Sequence, residues 1–556
     1  MIGDIRHTHN DSILPLMRDP RPIEPGPART GPLVLRATAL AALLFGSYAA
    51  WVYHAAGLTL SHYDAKAHLV VARRVVDNLT PGWRQLGAVW LPLPHLLNLI
   101  PVQIDAFYRS GASAVVISVL AYGLAVYGVA RIVLRASGSS IAAVAGASVF
   151  ALNPDVLYLQ STPMTEALLL SLLVMTVSLT IDWLDVAGGA STVAAGSDVA
   201  ASSKAATARA ERRAGWVMAA ACLTRYEAWP VTAALLVLGA AALWWRGMTP
   251  ATAARRVLRL AVYPAIAVGA FLVQSRLTVG EWFVTGGFFV PDNLDSGHPL
   301  RAIASVWWGL HVVSGYGVEV VGIAGGLACL VRALRDRRRS ALVAALALFA
   351  VGALPAYAFF DGHPFRIRYM TPLVPALAVC AGLGIGLAVG WPRRVAALAL
   401  IVLVLADTRP FDPRASMLLE AQWDSGNSAA RRQITRYLAA HYDGRTVLTS
   451  MGSLAHYMQE LSNAGFDLKT FLHEGNGDLW SAALARPRWY VGWILVEEWS
   501  EGGDVLAKLA REDRHFLEGF ERVAEGGGAA LYRAGEAGRA GEARGAGRAG
   551  GAGKQQ

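Results

Sequence analysis

Four short tracts of the 556-residue sequence place ionisable side chains beside long apolar runs. The first two tracts carry carboxylates: Asp64 lies four residues before His68 in the first, and the second contains Asp155 and Glu166. The other two tracts carry most of the cations. The third contains Arg225 and Glu227, and the fourth begins at Asp361 and contains His363, Arg366 and Arg368. A carboxylate can take a proton from a hydroxyl group, and guanidinium groups bind phosphate oxygens in pairs. The four tracts therefore predict a reaction with a base at one end and an anionic leaving group at the other.

Purely structural roles compete with this interpretation. Asp64 could cap the helix that begins near it. Arg366 and Arg368 could be anchors that extend to the membrane surface, and Arg225 with Glu227 could be a structural ion pair at a helix break.

A metal site is a further alternative for the first tract, with Asp64, His68 and His95 as ligands. The loop has no Asp-x-Asp motif, which weakens the case for a bound divalent cation. We expect no metal and no other cofactor.

The elements that hold these tracts are membrane helices. Hydrophobic residues make up 54% of the chain and charged residues only 16%, where soluble proteins carry about 25% charge, and the mean hydropathy is +0.39. The 50 basic against 40 acidic residues could indicate nucleic-acid binding. Membrane topology explains this excess better, so we expect no nucleic-acid partner.

Apolar runs predict a polytopic helical bundle with about eleven crossings. The predicted spans are 33 to 53, 111 to 130, 140 to 152, 164 to 184, 214 to 224, 228 to 245, 260 to 278, 304 to 331, 340 to 359, 369 to 390 and 395 to 406. In the long loop 54 to 110, Asp64 and His68 share one face of an amphipathic helix that we expect on the outer membrane surface. The proline-rich tract 85 to 95 predicts a half-buried, rigid lid.

Basic residues set the orientation. With a helix break inside 214 to 245, the predicted inner segments hold 22 Lys and Arg, and the outer loops hold 10 when Arg276 near the end of span 260 to 278 is included. We expect the protein in the cell inner or plasma membrane. The positive-inside rule then places the amino terminus in the cytoplasm and residues 408 to 533 on the extracytoplasmic side. All four ionisable tracts face the outside in this topology.

The sequence divides into four regions. Residues 1 to 32 predict a disordered cytoplasmic tail, 33 to 407 the membrane module, 408 to 533 a small extracytoplasmic α/β domain, and 534 to 556 a disordered low-complexity tail. Strand-like runs in the α/β domain lie at 445 to 449, 489 to 495 and 529 to 532. The Ala-, Gly- and Ser-rich loop 187 to 210 also predicts disorder, and Cys222, Cys329 and Cys380 are expected in the apolar core.

The ionisable tracts resemble motifs of bacterial GT-C glycosyltransferases, in particular the family 39-like group with protein mannosyltransferases and the lipid A aminoarabinose transferase. The resemblance covers about residues 33 to 400 and rests on motifs in the same order. These are Tyr63-Asp64-Ala65-Lys66-Ala67-His68-Leu69 with Ala72-Arg73-Arg74, Gln85-Leu86-Gly87 to Leu91-Pro92-Leu93-Pro94-His95-Leu96, Asn153-Pro154 to Met164-Thr165-Glu166, Leu223-Thr224-Arg225-Tyr226-Glu227, and Arg366-Ile367-Arg368-Tyr369-Met370.

This resemblance implies an inverting transfer of a hexosyl or pentosyl group from a polyprenyl-phosphate-linked donor, with an aspartate of the first loop as base. That position is Asp64. Many relatives have an Asp-Glu pair where this chain has Asp64-Ala65, so Asp155 or Glu166 would supply the second carboxylate. The acceptor would be a protein, glycolipid or glycan at the outer face, and the surrounding partner is membrane lipid. Substrate binding is assigned to His68, Arg225, Glu227, His363, Arg366 and Arg368.

A polytopic transporter or lipid flippase is the alternative function, because it would also have many spans and buried charges. Transporters commonly contain internal repeats and bind their substrate near the bilayer midplane. The sequence has no internal repeat that we detect, and its ionisable tracts gather at one face. A noncatalytic scaffold would leave these outer charges unexplained.

The predicted topology is tested with reporter fusions at Ala201 and Gly526. Because the break within 214 to 245 adds one crossing between them, we expect the two reporters to lie on opposite sides of the membrane. The same side for both would contradict the two-span interpretation of 214 to 245.

Overall fold

A computed structural model describes residues 31 to 189, 197 to 284, 293 to 499 and 504 to 535. The predicted tails 1 to 32 and 534 to 556 lie almost entirely outside the described residues. Within the described residues, Gly31 begins the first helix and Ala534 ends the last strand.

The described chain is mainly helical. Its α-helices are α1 Gly31–Ala55, α2 Tyr63–Arg73, α3 Leu93–Asn98, α4 Asp105–Ser110, α5 Ala112–Ser137, α6 Ser140–Ala151, α7 Pro154–Leu159, α8 Glu166–Gly189, α9 Ser197–Cys222, α10 Ala228–Trp245, α11 Pro250–Val279, α12 Pro299–Ser314, α13 Tyr316–Arg335, α14 Ala353–Phe360, α15 Val374–Ile385, α16 Trp391–Asp407, α17 Ser416–Gln422, α18 Ser428–His441, α19 Met451–Asn463, α20 Asp478–Ala485 and α21 Val505–Glu512. Segments with 3₁₀ geometry are Trp83–Leu86, Pro101–Gln103, Arg337–Gly352, Ile367–Leu373, Ser425–Asn427, Leu468–Thr470, Glu474–Asn476 and Pro487–Trp489.

Within the described residues, eight helical segments are long and apolar enough to cross a membrane: α1, α5, α8, α10, α11, α13, Arg337–Phe360 and Ile367–Ile385. The polytopic helical bundle is therefore confirmed, although eight is fewer than the eleven crossings that the sequence predicts. The difference comes from α6, α16 and the end of α9. At 12 and 17 residues, α6 and α16 are short for a 30 Å bilayer core, and α9 has a polar first half.

The prediction of one continuous span over 304 to 331 is wrong, because the chain turns between α12 and α13. Gly315 sits at the turn with φ 77° and ψ 152°, a backbone conformation that only glycine adopts readily. A side chain at Gly315 would also overlap Asp407 at the end of α16. The turn therefore depends on glycine for its backbone angles and for its close contact with α16.

The break predicted inside 214 to 245 is confirmed, since α9 ends at Cys222 and α10 begins at Ala228. The disorder predicted for 187 to 210 is wrong at both ends of that loop. There α8 continues to Gly189, and α9 is helical from Ser197 because its alanine-rich sequence has high helix propensity. The middle of the loop, 190 to 196, lies outside the described residues. All three cysteines are buried as expected.

Glycines allow the central helices to pack closely. An added Cβ at Gly325 of α13 would overlap the backbone carbonyl of Cys380 on α15, and Gly384 faces Gly325 across the same contact. Likewise, a Cβ at Gly382 of α15 would lie 3.1 Å from the Cα of Gly146 on α6. Small residues at helix contacts let membrane helices gain packing energy where the hydrophobic effect between them is absent.

The carboxyl-terminal part forms the predicted α/β unit. Its five strands are β1 Val447–Thr449, β2 Phe471–Leu472, β3 Trp493–Glu497, β4 Phe520–Gly526 and β5 Ala529–Ala534, in the order β2-β1-β3-β5-β4. The first three are parallel, and β5 pairs antiparallel with β3 and β4. Each of the three predicted runs contains a strand, although residues 445 to 446 and 489 to 492 precede β1 and β3. The two missed strands are the edges, where a two-residue strand and an exposed, charged strand lack an apolar pattern.

Helix α2 does not lie on the membrane surface as predicted, because the α/β unit covers it. Leu69, Val70 and Ala72 are fully buried in one apolar cluster with Leu454 and Tyr457 of α19. The Tyr63 hydroxyl also donates a hydrogen bond to the Gly452 carbonyl, at 3.0 Å. The apolar face that indicated membrane contact thus packs against protein.

The first loop has further polar contacts with the same unit. Gln85 Nε2 donates to the Gly475 carbonyl at 2.7 Å, and Asn78 Nδ2 and His473 Nε2 lie 2.9 Å apart. The tract 85 to 95 is half-buried as predicted, with Leu91 inside and Val89 exposed. These contacts fix the loop between the bundle and the α/β unit.

The glycine packing predicts that Gly325→Ala destabilises the bundle by about 1–3 kcal/mol, because the added methyl group overlaps the α15 backbone. Gly269→Ala is the matched control, since a Cβ at this position in α11 meets nothing within 4 Å. Thermal unfolding of the purified variants in detergent measures the difference. Equal unfolding temperatures for the two variants would show that the α13 and α15 contact is not tight.

Candidate active site

Asp64 lies in the first turn of α2, at the end of the loop that leaves α1. The cap of this helix is His62, whose Nδ1 accepts a hydrogen bond from the Asp64 N–H at 3.0 Å. The carboxylate of Asp64 is therefore not the helix cap, and it points to the bundle. Asp64 is 9% exposed.

Arg368 is the partner of this carboxylate. Its Nη1 donates to Asp64 Oδ2, across 304 positions of sequence, and both side chains are largely buried. Burial alone would raise the pKa of Asp64, but Arg368, His62 and His68 together outweigh burial and hold that pKa well below its usual range. Arg368 Nε is buried without a hydrogen-bond partner among the described residues. The guanidinium thus retains a donor that a further anion could use.

Glu420 completes this part of the site, and the sequence analysis missed it. It lies on α17, where its Oε2 accepts a hydrogen bond from the Ile367 N–H at 2.9 Å, and its Oε1 is 3.5 Å from His62 Nε2. Burial would raise the pKa of Glu420, but His62 and Arg368 together lower it. We call Asp64, Arg368, Glu420 and His62 the Asp64 cluster.

Glu420 follows the last apolar run and belongs to no motif. The signal that could have revealed it is weak: it is the one acidic residue of the short apolar helix α17, whose Met417, Leu418 and Ala421 are buried in the bundle core. A lone carboxylate in such a helix indicates a buried partner.

A second charged group, the Arg225 cluster, consists of Arg225, Glu166 and Glu227. Arg225 Nη1 lies 2.9 Å from Glu166 Oε1, and Arg225 Nη2 lies 2.6 Å from Glu227 Oε1. Glu166 begins α8 and is fully buried, and Arg225 Nη1 also donates to the Thr165 hydroxyl at 3.1 Å. Burial would lower the pKa of Arg225, yet the two carboxylates raise it, while Arg368 is near enough to oppose them.

His68 lies close enough to Asp64, Arg225 and Arg368 for the charges of both clusters to act on it. Its Nδ1 and the Nε2 of His95 are 3.0 Å apart, and its ring lies against Trp90 at 4.2 Å between centroids. Burial, and then His95, lower the pKa of His68 well below its usual value, and burial lowers that of His95 to about 4. Both imidazoles are therefore neutral at physiological pH. A cavity of about 30 Å³ beneath them has room for one water molecule.

The loop between α14 and the Ile367–Leu373 segment contains the remaining predicted residues. His363 Nε2 is 3.5 Å from the hydroxyl of Tyr369, and the Arg368 guanidinium lies 5.3 Å from the centre of the Tyr369 ring. Arg366 is close enough to Glu420 to lower the pKa of that carboxylate. The loop thus places its cations around the Asp64 cluster.

Asp155 is positioned differently from the other carboxylates. Its Oδ1 accepts from the Met417 N–H at 2.8 Å and its Oδ2 from the Ser416 hydroxyl at 3.3 Å, so that it holds the start of α17. Burial raises the pKa of Asp155 from 3.8 to about 6, although these two hydrogen bonds oppose the rise. The carboxylate stabilises the helix that carries Glu420.

Seven of the nine predicted site residues therefore lie in or beside the two clusters, while His363 contacts Tyr369 and Asp155 holds α17. Among the residues that the structure describes, no group of three or more His, Cys, Asp and Glu is placed to hold a metal ion. The chemistry available to the clusters is proton transfer to a carboxylate and anion binding by guanidinium groups.

The overall fold matches solved membrane proteins. Two crystal structures of ArnT from Cupriavidus metallidurans, one bound to undecaprenyl phosphate and one in the apo state, align with TM-scores of 0.53 and 0.52. Their sequence identities are 14% and 15%, and each alignment covers 91% of this chain and 98% of the ArnT chain. The protein therefore has the fold of the ArnT structures.

A crystal structure of the Archaeoglobus fulgidus oligosaccharyltransferase in complex with zinc and sulfate aligns with a TM-score of 0.40 and 12% identity, over 90% of this chain and 73% of that chain. That similarity is too low to bear on the site. No protein-family model and no curated protein sequence matches the chain.

The raised pKa of Asp155 predicts how stability depends on pH. Between the unfolded pKa of 3.8 and the folded pKa of about 6, the native state binds more protons, so the free energy of unfolding falls as the pH rises through that range. This contribution is on the order of 2–3 kcal/mol and is complete above about pH 6.

The measurement is thermal unfolding of the wild type and of Asp155→Asn at pH 5 and pH 7.5. The neutral amide keeps an acceptor for the Met417 N–H, so the variant should be at least as stable as the wild type at pH 7.5 and should show a smaller loss on going from pH 5. A variant that is less stable than the wild type at pH 7.5 would mean that the charged carboxylate is favourable where it is.

Proposed function

We propose that the protein is an integral membrane glycosyltransferase that moves a sugar from a polyprenyl-phosphate donor to a hydroxyl group at the outer face of the membrane, with inversion. The ion pair between Asp64 and Arg368 carries the proposal, because it sets a candidate base beside a candidate phosphate ligand in one buried place. The ArnT-like fold, together with the undecaprenyl phosphate of the ArnT complex, supports a lipid phosphate as the donor group.

The reaction assigns a role to each partner of the pair. The acceptor oxygen forms a bond to the anomeric carbon as the bond from that carbon to the phosphate oxygen breaks. Asp64 takes the hydroxyl proton, and the polyprenyl phosphate leaves with the electron pair. The charge that develops on the leaving phosphate is stabilised by Arg368 and, in the same loop, by Arg366.

In the absence of donor, Asp64, the proposed base, is paired with Arg368, the proposed phosphate ligand. A carboxylate paired with a guanidinium is a weak proton acceptor, as the lowered pKa of Asp64 reflects. We infer that the donor phosphate replaces Asp64 on Arg368. The exchange would free the carboxylate and raise its pKa only when the donor is bound, so that the base becomes active next to its substrate.

Arg225 is less suited to be the main phosphate ligand. Two carboxylates, Glu166 and Glu227, already neutralise it, and both would repel a phosphate. We assign this cluster to shaping the site around His68, with Glu166 as the second carboxylate that the Asp64-Ala65 motif lacks. Asp155 is assigned to positioning α17.

The acceptor is proposed as a hydroxyl-bearing protein, glycolipid or glycan, and the transferred group as a hexosyl or pentosyl unit. The first loop and the α/β unit would control the access of the acceptor to the site, since they cover the side of α2 that faces away from the bundle. The positive-inside count predicts that this side of the protein faces the extracytoplasmic side of the plasma membrane.

The transporter or flippase alternative would require substrate ligands near the bilayer midplane. The described ionisable residues of both clusters instead adjoin the loops and helix starts at one end of the bundle. This placement favours chemistry at the membrane surface.

The test is an assay in which purified protein is incubated with a panel of radiolabelled polyprenyl-phosphate sugars and a membrane extract as acceptor source. We expect label to move from one donor to an acceptor with release of polyprenyl phosphate. Movement of intact donor across a vesicle membrane, with no release of polyprenyl phosphate from any donor in the panel, would identify a flippase instead.

The proposed exchange makes opposite predictions for two properties of Asp64→Asn. Transfer should fall by about 100- to 10,000-fold, because the base is lost. Binding of undecaprenyl phosphate should become about tenfold tighter, because the lipid no longer competes with a carboxylate for Arg368. Rates come from the labelled-donor assay, and affinity from titration of the purified protein.

Asp361→Asn is the matched control, since Asp361 is an exposed carboxylate of the loop that carries Arg366. It should change neither property. Weaker lipid binding by Asp64→Asn would show that Asp64 orients Arg368 for the phosphate rather than competing with it. Retained transfer would move the base to Asp155 or Glu166.

A further inference from the structure

At the end of the bundle opposite to Asp64, an open groove of about 460 Å³ runs between α8 and α9. Three arginines of α9 line it, Arg209, Arg212 and Arg213, and all three are exposed. Trp216, which is 67% exposed, stands one turn further along the same helix, and Leu179 of α8 forms the apolar wall.

The depth of the groove follows from the helices that form it. Leu179 is thirteen residues beyond Glu166, the first residue of α8, which places it about 20 Å from the Arg225 cluster along the helix axis. Asp182, one turn further, pairs with Arg131 and with Arg135 of α5. Charged pairs at this depth are typical of a membrane interface, so we expect the groove to open where headgroups meet acyl chains.

Several arginines at this end of the bundle are paired with carboxylates. Arg131 and Arg135 pair with Asp182, and Arg246 pairs with Asp185 at 2.6 Å. By contrast, none of the ion pairs among the described residues includes a groove arginine. Glu211, which lies on the same stretch of α9, does not line the groove. The groove therefore has a positive charge that protein carboxylates do not neutralise.

Helix α11 extends this charge. Its Tyr263 packs against Trp216 at 5.5 Å between ring centroids, and Arg259 lies one turn below Tyr263, as Arg212 lies one turn below Trp216. Both helices have the same direction, because Phe271 near the end of α11 contacts Tyr226, which follows α9. Arg259 is exposed, so a fourth cation adjoins the groove.

We propose that this groove is a binding site for the anionic headgroup of a membrane phospholipid, with the acyl chains along Trp216 and Leu179. The arginines would bind the phosphate oxygens bidentately, and the indole would sit at the level of the glycerol backbone. The combination of unpaired cations and an exposed apolar wall at one membrane depth fits a lipid, which has a charged and an apolar part in the same arrangement. The lipid would join α8 and α9 at this depth.

The experiment is a titration of delipidated protein in detergent with phosphatidylglycerol or with phosphatidylcholine of the same acyl chains, followed by native mass spectrometry. We expect the anionic lipid to bind more tightly than the zwitterionic one. In the variant R209Q/R212Q/R213Q, the affinity for phosphatidylglycerol should fall by about 100-fold, which is about fivefold for each cation at the surface.

The matched control is R335Q/R338Q/R394Q, which removes three exposed arginines at the ends of helical segments on the side of the membrane that the sequence assigns to the cytoplasm. It should keep the wild-type affinity. The variant R209K/R212K/R213K retains the charge and should keep most of the preference for the anionic lipid, which also covers the case that the glutamine variant does not fold.

Three results would overturn the proposal. They are equal affinity of the wild type for the two lipids, equal loss of affinity in the two glutamine triple variants, and wild-type affinity in R209Q/R212Q/R213Q. The second result would mean that diffuse charge rather than this groove attracts the lipid. None of these measurements depends on glycosyl transfer.

Discussion

A buried ion pair between residues 304 positions apart is the interaction on which the rest of the site depends. Removing Asp64 and Arg368 from water has a cost of several kcal/mol per ion, and the pair is stable only if both groups are held in good geometry. The α2 start fixes the carboxylate through the His62 cap. On the other side, Glu420 binds the Ile367 N–H, next to Arg368 in the chain. The close packing of α13 against α15 supports this second side, because α15 continues directly from the segment that carries Arg368.

Much of this arrangement could be predicted from the sequence, and the reasons for success and failure are physical. Membrane helices follow from apolar length, and the break before Ala228 follows from the charged tract Arg225-Tyr226-Glu227. Which carboxylate pairs with which arginine could not be predicted, since periodicity describes single helices and the pairs join distant ones. Glu420 was missed because one charge in a seven-residue helix has no pattern.

The burial of α2 illustrates a second limit. An apolar stripe on a helix shows that one face avoids water, but either lipid or protein can cover that face. Here Leu69 and Val70 contact Leu454 and Tyr457 of the α/β unit rather than lipid. The turn at Gly315 is comparable, because an apolar run of 28 residues over 304 to 331 gives no sign of a single glycine with a positive φ. The first error concerns the partner of a helix that was predicted, and the second concerns a break inside an apolar run.

The central claim is that a lipid phosphate displaces Asp64 from Arg368. The most direct measurement is an experimental structure of the full chain in a nanodisc with undecaprenyl phosphate bound, at a resolution that shows side chains. The account predicts phosphate oxygens within about 3 Å of the Arg368 guanidinium and an Asp64 carboxylate that has left it. A phosphate bound elsewhere, with the pair between Asp64 and Arg368 intact, would contradict it.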